Sequence, residues 1–233
     1  MSDFNINQKF EFLNDLTSMV VNKETPSIIV SGDGGLGKTH SVLQTVEQFG
    51  LQPVEWVHFK GYSTPRGLYN TLYDNNGKLI IFDDCDSILD NSTSLNILKS
   101  ALDSYESRKI SWMAKMNKSD EYPQQFEFTG RIVFISNKSK ESIDGAVISR
   151  SLVVDLTMTP DEKIQRMEYI LPNILPTYSM QIKLDALNLL NDIKDTNSKI
   201  GDKLNLRTLI MVSKMRKSFP DNWENLANYM INS

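Results

Sequence analysis

Short apolar runs alternate with helical patterns through the first two-thirds of the chain. Each run is brief, rich in β-branched or aromatic residues, and bounded by turn-forming or polar residues, as is typical of strands. The predicted strands are Ser27–Ser31, Val54–Phe59, Leu79–Phe82, Ile132–Ser136 and Leu152–Leu156. The helices predicted between them span about 38–49, 64–74, 92–106 and 141–147. This alternation favours a mostly parallel sheet with helices on its faces.

The pattern changes near residue 157, where the strand signal stops. Thr159 and Pro160 are typical of a helix cap and a first helical residue. Three further helical patterns follow, near 180–195, 204–218 and 221–231. We therefore predict an α/β core over residues 1–157 and a small all-helical domain over residues 158–233.

Composition narrows the class of protein. Hydrophobic residues make up 40% and charged residues 23% of the chain, as in soluble globular proteins. No apolar run approaches the roughly 20 residues that span a membrane, and the first residues lack the features of a signal peptide. The single cysteine, Cys85, excludes a disulfide framework and a multi-cysteine zinc site. The expected location is the cytoplasm, or the host cytoplasm if the source is viral.

The first predicted strand leads into a glycine-rich loop, GDGGLGKT, that fits the phosphate-loop pattern G-x-x-x-x-G-K-S/T. Glycines let backbone N–H groups turn inward around phosphate oxygens, and the following helix adds its dipole. Lys38 is expected to reach the β and γ phosphates of ATP, and the Thr39 hydroxyl to bind Mg²⁺. The predicted nucleotide-binding residues are Gly32, Asp33, Gly34, Gly35, Leu36, Gly37, Lys38, Thr39 and His40. His40 is the last residue of this segment, and we expect it to lie on the surface of the helix without a functional role.

The strand Leu79–Phe82 ends in a run of carboxylates. In phosphate-loop enzymes, a strand beside the loop ends in an acid near the metal. We predict that Asp83 is this metal ligand, together with Thr39. Asp84 is predicted to polarise the attacking water as general base, and Asp86 is the alternative base.

Later residues extend a resemblance to the AAA+ ATPases over about residues 25–218. Asn137 ends a predicted strand, as the family's sensor 1 residue does. Ser149-Arg150 looks like the family's arginine finger, and Arg207 lies where the helical lid carries sensor 2. The resemblance implies a parallel-sheet AAA+ core with a C-terminal helical lid, and ATP and Mg²⁺ as cofactors. The catalytic residues it implies are Asp84, Asn137, Arg150 and Arg207.

The arginine finger has a consequence for assembly. In the family it reaches the γ-phosphate in a neighbouring copy, so Arg150 is expected to complete that copy's active site. The resemblance thus implies a ring or arc of identical chains, with six as the expected number. Arg150 could instead be an ordinary surface or anchoring arginine. Arg131 is a rival finger, or simply a charge at the end of a strand. The family usually has Asp-Glu where this chain has Asp83-Asp84, and the shorter side chain holds its carboxylate further from the water.

A β-hairpin is predicted between about residues 107 and 130. It resembles the hairpin that precedes sensor 1 in one AAA+ branch, which includes helicases and protein unfoldases. Its candidate nucleic-acid contacts are Arg108, Lys109, Trp112, Lys115 and Lys118. Basic residues beside an aromatic suit single-stranded nucleic acid. The alternative is that Trp112 packs against Phe128 across the hairpin and the lysines are merely solvated.

The loop after the second strand is another candidate contact, because in the family it faces the central pore. Lys60 and Arg66 are expected to contact phosphates, and Tyr62 to stack on a base or grip a polypeptide. The alternative is a strand-to-helix connection, with Ser63 or Thr64 as the helix cap.

The expected function is therefore an AAA+ ATPase that remodels or translocates on single- or double-stranded DNA. Helicase, helicase loader and DNA-remodelling ATPase are the types considered. The alternative is an ATPase that remodels or regulates a polypeptide partner. No membrane partner is expected, and the compact chain resembles phage-encoded AAA+ proteins.

Overall fold

The computed structural model describes residues 4–103, 107–113, 122–196 and 200–232. Its helices are α1 (Ile6–Val21), α2 (Lys38–Gln48), α3 (Pro65–Asp74), α4 (Ser87–Asp90), α5 (Ser92–Ala101), α6 (Gly145–Ile148), α7 (Pro160–Ile170), α8 (Met180–Thr196), α9 (Leu206–Ser218) and α10 (Trp223–Asn232). Its strands are β1 (Ser27–Ser31), β2 (Trp56–Lys60), β3 (Leu79–Asp83), β4 (Lys109–Ser111), β5 (Gln125–Glu127), β6 (Arg131–Ile135) and β7 (Leu152–Asp155). Short 3₁₀ helices lie at Lys140–Ser142, Leu171–Asn173 and Ile200–Lys203.

The chain divides into two compact units. We call Phe10–Gly32 with Lys38–Leu156 the sheet unit, and Met1–Lys9, Asp33–Gly37 and Thr157–Ser233 the helical unit. The tip of the phosphate loop thus groups with the helical unit, while Lys38 and Thr39 group with the sheet unit.

The sheet unit contains a five-stranded parallel sheet in the order β2-β3-β6-β1-β7. Every residue of β1, β3 and β6 is buried, which explains why these strands read as continuous apolar runs. The predicted parallel α/β sheet is confirmed. Strand β2 begins two residues later than predicted, because Val54 lies in a turn in which the Glu55 N–H donates to the Gln52 carbonyl at 2.8 Å.

Helix α1 was not among the predicted elements. Within the sheet unit it buries Phe10, Leu13 and Val20, which recur at helical spacing. The guanidinium of Arg131, only 6% exposed, donates to the carbonyls of Val20 and Val21 at 3.1 and 2.6 Å. Arg131 therefore caps the end of α1, and its interpretation as a rival arginine finger is wrong.

The predicted hairpin forms where its strands are described, since β4 and β5 pair antiparallel with Ile110 opposite Phe126. Lys115 and Lys118 lie outside the described residues. Helix α5 ends at Ala101, short of the predicted 106. The single helix predicted at 141–147 is instead a 3₁₀ turn followed by α6, because the Asp144 carboxylate accepts the Ala146 N–H and begins a new helix.

In the helical unit, α7 begins as predicted. The Thr159 side chain and Glu162 form a reciprocal capping box, with Pro160 in the first turn. Helix α8 packs against α7 and α9, and α10 packs against α9. Within the described ranges, no helix has the length and apolar character needed to cross a membrane.

Candidate nucleotide-binding site

The phosphate loop connects β1 to α2 and has the backbone that its glycines predict. Gly32, Gly35 and Gly37 have φ values of 123°, 76° and 102°. Residues with a Cβ rarely adopt this region, so glycine is required at these turns. The loop thus has the sequence and backbone of an anion-binding loop.

Lys38 lies at the start of α2 and is only 4% exposed. Its ammonium donates to the Gly32 carbonyl at 2.6 Å and to Asn137 Oδ1 at 3.0 Å. Asn137 follows the carboxyl end of β6, which pairs with β1. The sheet therefore brings together the predicted phosphate-binding lysine and the predicted sensor 1 residue, which are 99 positions apart in the sequence.

Thr39 and Asp83 meet at the end of β3. The Thr39 hydroxyl donates to Asp83 Oδ1 at 3.0 Å, and Asp83 is 1% exposed. Hydroxyl and carboxylate oxygens are ligands that Mg²⁺ prefers, usually together with substrate phosphates. Among the described residues, no group of three or more His, Cys, Asp or Glu side chains could hold a metal by itself. The pair fits a Mg²⁺ ion that arrives with a nucleotide.

Two side chains of β2 also contact Asp83, and neither contact was predicted from the sequence. The parallel register places Lys60 opposite Asp83. The Lys60 ammonium lies 3.1 Å from Asp83 Oδ2 and 3.1 Å from Asp84 Oδ2, and His58 Nε2 lies 3.3 Å from Asp83 Oδ2. Hydrogen bonds to both carboxylates raise the pKa of Lys60. Lys60 was predicted to contact nucleic acid, but the structure places it on the acidic pair.

Asp84 has a left-handed backbone, with φ of 54°. Its Oδ1 accepts a hydrogen bond from Asn137 Nδ2 at 2.6 Å. Aspartate and asparagine adopt this region more readily than most residues, which suits the shorter acid found here in place of the family's glutamate.

Asp86, the alternative base, is differently placed. Its Oδ1 accepts the Ser136 hydroxyl at 2.6 Å, and that hydroxyl oxygen accepts the Lys138 N–H at 3.0 Å. Asp86 therefore ties the turn after β3 to the turn after β6. Of the two candidates, Asp84 is the one in contact with Asn137.

The two predicted catalytic arginines lie in different settings. Arg150 follows α6 and donates from Nη1 to the Ala146 carbonyl at 2.8 Å. Its Nε is buried without a hydrogen-bond partner in the part of the chain that the structure describes. Arg207 is exposed in the first turn of α9, and its N–H donates to the cap residue Asn205. His40 is exposed on α2, which agrees with the helix-surface position expected for it.

The loop after β2 ends as the capping interpretation predicts. The Thr64 hydroxyl accepts the Gly67 N–H at 3.0 Å, and Pro65 opens α3. Tyr62 is 83% exposed, and Arg66 is also exposed.

The hairpin residues divide between structural and surface positions. Arg108 donates to the carbonyls of Ala101 and Gly130 at 2.9 and 2.8 Å, and it lies over the Phe128 ring. Burial lowers the pKa of Arg108. These contacts anchor the hairpin, and a nucleic-acid contact by Arg108 stays a prediction.

Trp112 packs against Tyr69, with ring centroids 5.9 Å apart, and against the buried core cluster to which Phe128 belongs. It is not paired with Phe128 across the hairpin, because the Trp112 N–H donates to the Gln124 carbonyl and the Phe128 N–H donates to the Arg108 carbonyl. Trp112 is half-buried, and Lys109 is exposed. The two residues line an open groove of about 310 Å³ beside α5. We call this the hairpin groove; its other lining residues are Thr93, Asn96, Ile97, Ser100, Ser111 and Met113.

Comparison with known proteins gives one curated relative and several structural neighbours. No protein-family model matches the chain. An uncharacterised 36.7 kDa protein of Enterobacteria phage T4 is 28% identical over 242 positions, which cover 95% of this chain and 73% of that protein.

The structural neighbours are more distant in sequence. A RuvB variant from Thermotoga maritima superposes with a TM-score of 0.57 and 13% identity, covering 97% of this chain and 68% of that chain. NtrX from Brucella abortus, solved in complex with ATP, superposes with a TM-score of 0.54 and 13% identity. The match covers 95% of this chain and 54% of that chain. Both neighbours are AAA+ ATPases. The chain therefore has the AAA+ fold, with a parallel-sheet phosphate-loop core and a C-terminal helical segment.

Proposed function

We propose that the chain is an ATPase that binds Mg-ATP at its phosphate loop, hydrolyses it between neighbouring copies, and acts on nucleic acid. One observation carries the ATPase part of this proposal. The sheet places Lys38 on Asn137 and Thr39 on Asp83, at the carboxyl ends of adjacent strands. This is where open α/β sheets bind ligands.

Each side chain then has a role in ATP hydrolysis. Lys38 binds the β and γ phosphates, and Thr39 and Asp83 hold Mg²⁺, which neutralises phosphate charge when bound. Asp84 orients the water that attacks the γ-phosphorus and accepts its proton as ADP leaves. Asn137 contacts both Lys38 and Asp84, so it aligns the phosphate-binding residue with the base.

Arg150 is proposed to act across an interface between copies. Its Nε is buried and unpaired among the described residues, and burying a charged group without full pairing is costly. Once the side chain turns outward at an interface, a phosphate from a neighbouring copy would supply the missing acceptor. This role requires a ring or arc of identical chains, for which the AAA+ fold is the precedent.

The hairpin groove is the feature that favours nucleic acid as substrate. Trp112 offers an aromatic surface and Lys109 an exposed cation, the combination that binds single strands by stacking and phosphate contact. Tyr62 on the loop after β2 and Arg66 in the first turn of α3 are both exposed, and they repeat this combination of an aromatic ring and a cation. A location in the host cytoplasm accords with this proposal and with the phage relative.

A polypeptide substrate is the second candidate function, and Tyr62 is the observation that favours it. A tyrosine with 83% of its surface exposed at a loop tip can grip a chain of any sequence.

The comparison that separates the two functions is ATP turnover with and without single-stranded DNA. We expect stimulation by DNA that weakens as salt rises, because bound phosphates release counterions. Stimulation by an unfolded polypeptide and none by DNA would favour the second function.

Truncation of Trp112 tests the groove. Trp112→Ala is expected to weaken single-stranded DNA binding by about 1–3 kcal/mol for a stacked base while basal ATP turnover stays unchanged. Lys109→Ala should also weaken binding, and Lys214→Ala, an exposed lysine on α9, is the matched control. The measurements are a binding titration and a melting curve for each variant. A lower melting temperature with unchanged DNA affinity would show that Trp112 only packs against Tyr69.

A further inference from the structure

Another open cavity of the sheet unit is lined by β2, the loop that follows it, α3 and the end of β3. Its volume is about 350 Å³. Pockets for small molecules measure about 300–1,000 Å³, so a single flat ring system fits this space. We call it the loop cavity, and it shares no lining residue with the hairpin groove. Its principal lining side chains are Phe59, Ser63, Thr64, Thr71, Phe82 and Cys85.

One part of this lining is apolar and aromatic. Phe59 and Phe82 come from neighbouring strands, and their ring centroids lie 6.1 Å apart with the ring planes at 28°. Phe82 and Cys85 are 1% and 2% exposed, and Phe59 is half-buried. Aromatic rings and a polarisable sulfur make favourable contacts with the face of another ring. This part of the cavity therefore suits a flat, unsaturated ligand.

The other part of the lining is polar. The Thr71 hydroxyl makes no hydrogen bond within the part of the chain that the structure describes. The Ser63 hydroxyl donates to the Thr64 carbonyl at 3.2 Å, and its oxygen keeps the capacity to accept. A Cβ on Gly67 would lie 3.2 Å from Thr64 Oγ1 and 3.3 Å from Ser63 Oγ, so glycine keeps the space beside these hydroxyls open. The lining thus offers both donors and acceptors to the edge of a ligand.

A nucleobase matches both parts, because its faces stack and its edge carries donors and acceptors. An aliphatic or phenyl side chain of a polypeptide would fill the apolar part and leave the hydroxyls without partners, which is costly in a desolvated site. The loop leads directly into the first turn of α3, where Arg66 is exposed. That cation and the positive end of the helix dipole suit the phosphate attached to such a base.

We propose that the loop cavity binds an unpaired base of single-stranded nucleic acid. The proposal rests on the nucleic-acid part of the proposed function and adds a second contact to it, separate from the hairpin groove. Tyr62 also lines the cavity and is 83% exposed, so its ring is accessible for stacking on the bound base.

Cys85 provides a direct test, because it is the single cysteine of the chain and lines the cavity. Its modification by N-ethylmaleimide, a neutral reagent, is followed by mass spectrometry with and without a single strand of oligothymidylate. Burial raises the pKa of the Cys85 thiol, so the reaction is run above neutral pH. At a DNA concentration about ten times the Kd, a base in the cavity should slow the modification about tenfold.

A strand of equal length that lacks its bases is the matched control. It keeps the phosphates, so it tests whether the base or the backbone covers Cys85. The abasic strand should leave the rate of modification at that of the free protein, even at a concentration that saturates binding. Equal protection by both strands would overturn the proposal, because assembly of the protein on DNA or a backbone contact would then explain it.

Thr71→Phe fills the cavity and is expected to raise the Kd for oligothymidylate by about ten- to a hundredfold, the worth of a stacked base. Asn70→Phe is the matched control, since Asn70 precedes Thr71 on α3 but does not line the cavity. Its Kd should equal that of the wild type. If Thr71→Phe does not fold, the comparison of the two strands on the wild-type chain decides.

The failures are distinguishable. DNA binding by the wild type without protection of Cys85, and with unchanged affinity in a folded Thr71→Phe, overturns this inference alone. Protection by free thymidine monophosphate and none by the strand also overturns it. Protection by an unfolded polypeptide and none by DNA overturns it and favours the second candidate function. Absence of DNA binding by the wild-type chain overturns the nucleic-acid part of the proposed function and this inference with it.

Discussion

Lys38→Ala is expected to abolish tight binding of Mg-ATP. The lysine is nearly buried at the start of α2 and already directed by the Gly32 carbonyl and Asn137. Its contribution to phosphate binding is thus preorganised, and its loss should raise the Kd by about a hundredfold or more. Equilibrium titration with a labelled ATP measures the change directly.

The matched control for this variant is Lys140→Ala, which removes an exposed lysine from the same unit. Its affinity should match that of the wild type. Both variants should retain their helical circular dichroism, because alanine is tolerated at the start of a helix. Wild-type ATP affinity in a folded Lys38→Ala protein would show that the loop is not the nucleotide site.

Asp84→Asn is expected to keep ATP bound and to lower its hydrolysis by about 10²–10⁴, the usual contribution of a general base. Asparagine tolerates the left-handed backbone at this position, so the turn after β3 should persist. The measurement is single-turnover hydrolysis at saturating Mg-ATP. The variant should trap the ATP-bound assembly.

Asp86→Asn is the competing variant in that experiment. Because Asp86 accepts the Ser136 hydroxyl, its change should lower stability more than the rate of hydrolysis. Full hydrolysis by Asp84→Asn and none by a folded Asp86→Asn would transfer the role of base to Asp86. Asp84→Glu restores the family's usual reach, but glutamate adopts the left-handed backbone less readily than aspartate. We expect Asp84→Glu to be tolerated with some loss of stability.

The sheet, the phosphate loop and the acid that follows β3 were predictable because each is marked by a short local sequence pattern. Buried parallel strands are continuous apolar runs, and Asp83 directly follows such a run. The glycines of the phosphate loop report backbone conformations that other residues avoid. Parallel strands then bring their carboxyl ends to one edge, which is why Thr39 meets Asp83 and Lys38 meets Asn137.

The remaining contacts depend on pairings between distant residues. The link from Lys60 to Asp83 follows from the register of β2 on β3, which the sequence alone does not specify. Arg131 was misjudged because α1, whose end it caps, was not predicted. The buried spacing of Phe10, Leu13 and Val20 contained that signal.

The most direct test of the central claim is steady-state ATP turnover over a range of protein concentrations, including a mixture of Lys38→Ala and Arg150→Ala chains. The account predicts that specific activity rises with concentration, and that the mixture turns over ATP although each variant alone is nearly inactive. In the mixture, an intact phosphate loop can meet an intact Arg150 at one interface, and an arginine finger contributes about 10³–10⁵ in rate. Specific activity that stays constant through assembly, with no rescue in the mixture, would contradict a site completed between copies. Absence of turnover at every concentration, with and without DNA, would contradict the ATPase itself.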